Sequence, residues 1–120
     1  MNLFQKEDIK LRSGQQSDFK IECDALTDED IKTLAYLISK KKEFAYVVGV
    51  PTGGLRLATA LQRYCDPKHT NKILLVDDVL TTGGAMEEEK KKYEASLIEG
   101  VVIFARGKCP DWITPVFQMW

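Results

Sequence analysis

Residues 72 to 86 read Lys-Ile-Leu-Leu-Val-Asp-Asp-Val-Leu-Thr-Thr-Gly-Gly-Ala-Met, and this stretch constrains the fold more than any other. Ile73 to Val76 are large aliphatics with no polar interruption, which predicts a strand covered on both faces. Asp77 and Asp78 follow at once, where a parallel strand delivers its carboxyl end, the edge at which open α/β sheets bind ligands. Thr81 to Gly84 then form a short loop into a helix starting near Ala85. Such a loop offers backbone N–H groups, two hydroxyls and a helix N-terminus, a ready site for a phosphate. Acids beside a phosphate cradle repel the phosphate unless they face another part of the same ligand. Ribose hydroxyls, or a metal held by them, answer that need.

The arrangement occurs a second time. Ala45 to Val50 reads as a buried strand, breaks at Pro51-Thr52-Gly53-Gly54, and resumes as a helix through Leu55, Ala58, Leu61 and Tyr64. Two strands feeding glycine-rich turns and helix starts place two anion sites on one sheet edge. A third apolar run, Val101 to Phe104, ends at Arg106 on the same edge. A guanidinium there suits a two-pronged grip on a carboxylate that lysine cannot copy.

The remaining segments fit around this core. Residues 8 to 23 alternate Phe19 and Ile21 against Asp18, Lys20 and Glu22, which predicts a hairpin turning at Ser13 to Gln16. Thr27 is an expected N-cap, followed by Asp28, Glu29 and Asp30 at the positive end of a helix over 28 to 41. Met86 to Ala95 reads as a further helix, with Glu87 and Glu88 four residues before Lys91 and Lys92. Pro110-Asp111 predicts a turn and Ile113 to Met119 a last strand, with Pro115 favouring an edge position. The aromatics Trp112, Phe117 and Trp120 suit a base-stacking wall, a subunit contact or plain core packing.

At 120 residues the chain is expected to be one domain, a hairpin over 1–26 and an α/β core over 27–120. A net charge of -1 with no basic stripe argues against a nucleic-acid partner. The apolar runs are strand-length, so no membrane span is expected, and the N-terminus lacks signal-peptide character. A cytoplasmic location is the expectation. Cys23, Cys65 and Cys109 are widely spaced and odd in number, which predicts free thiols, and the lone His69 builds no metal site with them.

The run from Leu74 to Ala85 resembles, without a gap, the 5-phosphoribosyl-1-diphosphate (PRPP) signature of the type I phosphoribosyltransferases. Strand–helix alternation from Thr27 onward predicts a three-layer α/β fold with a mostly parallel sheet of four or five strands, helices on both faces and an N-terminal hairpin as hood, and the resemblance implies its Rossmann-like phosphoribosyltransferase form. It implies that Asp77 and Asp78 hold the ribose hydroxyls and that Thr81, Thr82, Gly83, Gly84 and Ala85 wrap the 5-phosphate. Pro51, Thr52, Gly53 and Gly54 resemble the diphosphate loop. Leu11 to Phe19 resembles the hood segment that helps roof the base pocket in orotate phosphoribosyltransferases, which implies a base-binding role for Arg12, in place of the usual lysine, and Arg106 with Thr81 matches the base-recognising pair of those enzymes. Ala105 departs from the acid usual before that arginine.

The implied activity is transfer of phosphoribosyl from PRPP, carried with Mg²⁺, to a base, with orotate favoured and a homodimer expected. No protein metal ligand and no catalytic base is nominated. A non-catalytic PRPP or nucleotide sensor and a purine phosphoribosyltransferase are the alternatives. Members of the family carry a strand and a long mobile loop where this chain has only the six residues between Cys65 and Lys72. Lys68 and His69 are either a stunted version of that loop or a solvated connection.

Overall fold

The structure, a computed structural model, describes residues 23 to 93 and 97 to 119. In chain order these form α1 (Asp28–Ser39), β1 (Tyr46–Gly49), α2 (Leu55–Leu61), β2 (Lys72–Leu80), α3 (Gly84–Lys90), β3 (Leu97–Ala105) and β4 (Ile113–Gln118). Short 3-10 turns occupy Gln62–Tyr64, Pro67–His69 and Lys91–Tyr93. The strands lie in the order β1-β2-β3-β4 with every neighbouring pair parallel, so all carboxyl ends share one edge. This is the α/β architecture the strand–helix alternation predicts.

The predicted hood hairpin, with Arg12, lies outside the described residues, as does Trp120. Cys23, at the end of that segment, is helical and buried instead of extended. Its carbonyl accepts the Leu26 N–H at 3.1 Å, closing a turn just ahead of α1. There Thr27 caps as expected: its hydroxyl accepts from Asp30 N–H at 3.0 Å, and the Asp30 carboxylate accepts from Thr27 N–H at 2.9 Å.

α1 buries Ile31, Leu34, Ala35 and Ile38 against Leu57, Ala58 and Leu61 of α2 and against Leu74, Val76, Val101 and Ile103 of the sheet. The other face packs Leu75, Val102 and Ile113 with Met86 of α3. Each such side chain, fully buried, stabilises the fold by roughly 1.5–3 kcal/mol.

α2 and α3 thus cover opposite faces, although β1 to β2 and β2 to β3 step the same way across the sheet. Parallel crossovers that advance together with helices on opposite faces have opposite hands, so only one follows the right-handed rule. The path of the first marks it as the exception. After Tyr64 the chain runs along the outer edge of β1, where Asp66 N–H donates to Phe44 O at 3.0 Å. On the inner side, Ala45 N–H donates to Lys72 O at 2.9 Å. The chain therefore steps outward, makes one rung of a ladder, and doubles back through Pro67–His69 into β2.

Three expectations need correction. β2 does not stop at Val76 but continues to Leu80, because Asp77, Val79 and Leu80 keep their pairing with Val102, Phe104 and Ala105 of β3. Strict alternation would put Val79 with Leu75 and Leu80 with Val76; instead Val79 packs with Leu74 and Val76, and Leu80 with Leu75. The sidedness of the strand shifts across the two acids.

The helix after the phosphate loop ends as α3 at Lys90 and tightens into a 3-10 turn, with Glu94 and Ala95 outside the described residues. Residues three apart eclipse in that geometry. The ion pairs are accordingly Glu88–Lys91 at 3.4 Å and Glu89–Lys92 at 3.2 Å, not the predicted four-residue pairs. Glu87 instead accepts from the Trp112 indole at 2.9 Å.

The aromatics of the tail resolve as packing. Phe117 is buried and stacks on Phe104 with ring centroids 5.4 Å apart. Trp112 lies against Gly100, just before the start of β4, at the end of the sheet away from the ligand edge. Lys90 sits over its ring at 4.5 Å. The three cysteines are free thiols, as predicted. Among the described residues no helix is long and apolar enough to cross a membrane.

Candidate active site

The two glycine-rich turns follow the carboxyl ends of the neighbouring parallel strands β1 and β2. Val50 N–H donates to Val76 O at 2.9 Å, which locks the exit of β1 to β2. The chain then turns through Pro51 to Gly54, with a cis peptide between Pro51 and Thr52, and Gly54 N–H returns to Val50 O at 2.8 Å. Space is the reason for the glycines here. A Cβ on Gly49 would lie 2.9 Å from Ala58 Cβ, and one on Gly54 would strike Val76 O and lie 2.8 Å from Val50 N. A Cβ on Gly53 would collide with the Asp78 carboxylate, coming within 2.5 Å of its Cγ.

Asp77 and Asp78 are each anchored by the next backbone amide. Asp78 N–H donates to Asp77 Oδ1 at 2.8 Å, and Val79 N–H donates to Asp78 Oδ1 at 2.7 Å. Asp77 is buried and Asp78 half-buried. Burial pushes the Asp77 carboxyl up to about 7; the Asp78 amide bond opposes this, while the Asp78 side chain adds to it by hydrogen bonding and charge.

The phosphate-loop candidates follow directly. Thr81 and Thr82 are exposed, and Gly84 N–H donates to Thr82 Oγ1 at 3.3 Å. Gly83 holds φ 88° at the start of α3, a left-handed conformation that glycine adopts without steric cost. Gly84 and Ala85 open α3 and are exposed.

Thr81 and Arg106 are brought side by side. Arg106 N–H donates to Leu80 O at 2.8 Å, and a Cβ on Gly107 would lie 2.9 Å from Thr81 O. The Gln118 side chain, which sequence reasoning missed, fastens this corner from β4, donating to Ala105 O at 3.2 Å and Gly107 O at 3.0 Å.

Lys68 and His69 are not at the site. They precede Lys72 at the amino end of β2, and the five steps from Lys72 to Asp77 alone span about 16 Å. The connection is a solvated turn: Asp66 caps it, accepting from Lys68 N–H at 3.1 Å.

A cavity of about 390 Å³ opens between the turn after β1, the end of β2 and α1. Thr52, Gly53 and Asp78 line it, together with Asp24 and Arg56. Arg56 was also missed. Its signal was a cation in the first turn of a helix, where the dipole disfavours positive charge. Among the described residues no three carboxylate, thiol or imidazole groups converge to hold a metal ion.

No protein-family model and no curated protein sequence matches the chain. Solved structures do. A phosphoribosyltransferase from Corynebacterium diphtheriae superposes with a TM-score of 0.58 at 14% identity, over 73% of this chain and 72% of that one. A purine phosphoribosyltransferase from Pyrococcus horikoshii superposes with a TM-score of 0.59 at 22% identity, over 79% of this chain and 87% of that one. At such identities the likeness establishes the fold: the chain has the Rossmann-like α/β fold of these two phosphoribosyltransferases.

Proposed function

We propose that this chain binds PRPP and transfers its phosphoribosyl group to a nitrogenous base, releasing diphosphate. The observation that carries the reading is the meeting of Asp78 with Gly53, which brings one acid of the pair onto the first glycine-rich turn at the wall of a cavity, while the second turn follows directly from the same strand. In this reading Asp77 and Asp78 accept from the ribose hydroxyls, and Thr81 to Ala85 surround the 5-phosphate. Thr52 to Gly54 face the diphosphate. The chemistry is positional and electrostatic: anchored carboxylates orient the ribose as positive charge develops at its anomeric carbon.

The donor set suits Mg²⁺, which keeps substrate phosphates and waters as ligands and needs only one or two carboxylates from protein. Asp78, lining the cavity, is the carboxylate placed to meet it. Bound with PRPP, the ion would neutralise charge on the departing diphosphate.

For the base, a purine has the better support, since one fold neighbour is named as a purine phosphoribosyltransferase. Arg106 beside Thr81 supports a carboxylate-bearing base such as orotate. A non-catalytic PRPP sensor draws on the connection from Cys65 to Asn71, which lies at the opposite sheet edge and cannot cover the site. Diphosphate release from PRPP and Mg²⁺ with each purine and pyrimidine base in turn is the test. Turnover with purines alone supports the favoured base, and turnover with orotate alone reverses it. Binding without turnover selects the sensor, and no PRPP binding overturns the reading.

A further inference from the structure

Among the described residues lining the cavity, Arg56 is the single cationic side chain, and Asp24 and Asp78 are the acids. It stands three residues beyond Gly53. The guanidinium uses one nitrogen, Nη2, to donate to Leu26 O at 2.8 Å and to Asp28 Oδ1 at 3.3 Å. Among the described residues its other nitrogens make no hydrogen bond. Both partners of the ion pair reach solvent, with side-chain exposures of 44% for Arg56 and 92% for Asp28. Pairs exposed to that degree hold weakly, so redirecting the fork costs little. Other loop cations lie elsewhere: Lys68 is at the opposite sheet edge, Arg106 flanks Thr81, and Lys108 follows in the connection from β3 to β4.

We propose that Arg56 grips the diphosphate of PRPP, supplying from the first turn of α2 the positive charge that the short Cys65–Asn71 connection cannot bring. This rests on the phosphoribosyl reading above and adds a residue to it. A planar fork matches phosphate oxygens by two parallel N–H bonds, and charge-assisted bonds of this kind are among the strong ones. With Thr52 and Gly53 on the same wall, Arg56 balances the repulsion between Asp78 and an anionic ligand.

Calorimetric titration with PRPP, inorganic diphosphate and ribose 5-phosphate, each with Mg²⁺, tests the assignment. Arg56→Gln is expected to weaken PRPP and diphosphate binding on the order of 10- to 100-fold while ribose 5-phosphate, which lacks the diphosphate, stays within about 2-fold. Arg56→Lys recovers part of the loss. Asp28→Ala removes the competing carboxylate and is expected to leave diphosphate affinity unchanged or raised. If Arg56 only ties α2 to α1, then Asp28→Ala and Arg56→Gln lower the melting temperature together and weaken all three ligands alike, which overturns the proposal. Full affinity in Arg56→Gln overturns it as well. Wild-type protein that binds none of the three ligands overturns the phosphoribosyl reading itself, and the role of Arg56 with it.

Discussion

The carboxylate of Asp78 occupies the space that a side chain on Gly53 would need. Gly53→Ala therefore meets first the end of one short side chain, not backbone. It is expected to retain its melting temperature within a few degrees and to lose PRPP affinity by roughly 10-fold or more, as Asp78 leaves its bond to Val79. Gly54→Ala meets backbone instead, at Val76 and Val50, which cannot move aside. Its cost falls on the fold, about 1–3 kcal/mol. Thermal melts beside calorimetry separate the two.

Asp77 gives stability a pH slope of known sign. Its carboxyl titrates near about 7 in the fold, and near about 3.9 in the unfolded chain. Between those values the folded chain holds a proton that the unfolded chain has released, so this contribution is full below the lower pKa and is lost as pH rises through the upper one. Asp77→Asn removes it. Melting temperatures at pH 5 and pH 8 should differ between wild type and variant by several degrees in that direction, on the order expected for a domain of this size.

Replacing both acids, Asp77→Asn with Asp78→Asn, is expected to abolish PRPP binding while the circular dichroism of the fold is unchanged. Amide side chains keep the size and one acceptor oxygen but lose the charge that strengthens bonds from ribose hydroxyls. Unaltered affinity by calorimetry would place the ribose elsewhere.

Arg106→Lys is expected to lower kcat/KM for the base by about 10-fold or more with PRPP affinity within about 2-fold, because lysine keeps charge and loses the planar fork. Gln118→Leu should shift the same parameter in the same direction, since it frees the Ala105 and Gly107 carbonyls on either side of Arg106. Equal losses of base and PRPP would assign Arg106 to the phosphate side.

Turnover is expected to be slow, or to rise with protein concentration as a second copy covers the site, because an uncovered site works in a higher dielectric where each contact is weaker. Sedimentation and activity measured over one concentration series check this. A monomer as fast as loop-bearing phosphoribosyltransferases would refute it.

The sheet edge and its loops were readable in advance because each rests on local chemistry: an apolar run, two acids, hydroxyls, and a glycine that needs positive φ at position 83. What escaped was set by partners distant in sequence. The continuation of β2 past Val76 depends on its pairing with β3, since Asp77 and Asp78 are poor strand formers alone. Gln118 gains its role only when β4 lies beside β3, and Trp112 finds Gly100 and Glu87 only once the sheet exists. Arg56 was hidden for another reason. A single cation in a helix turn reads as solvent-facing until the cavity beside it is known.

The rung between Asp66 and Phe44, single among the described residues, has an architectural consequence. It is a pairing begun on the outer edge of β1 and carried no further, so sequence inserted after Tyr64 would extend an existing ladder without re-threading any strand. Lengthening such a connection costs only about 0.6 kcal/mol per doubling. The added strand would also cover backbone groups that an open edge offers to other chains. A covering loop can in this way be gained or shed as a module while the binding edge, built by β1 and β2 at their other end, stays as it is.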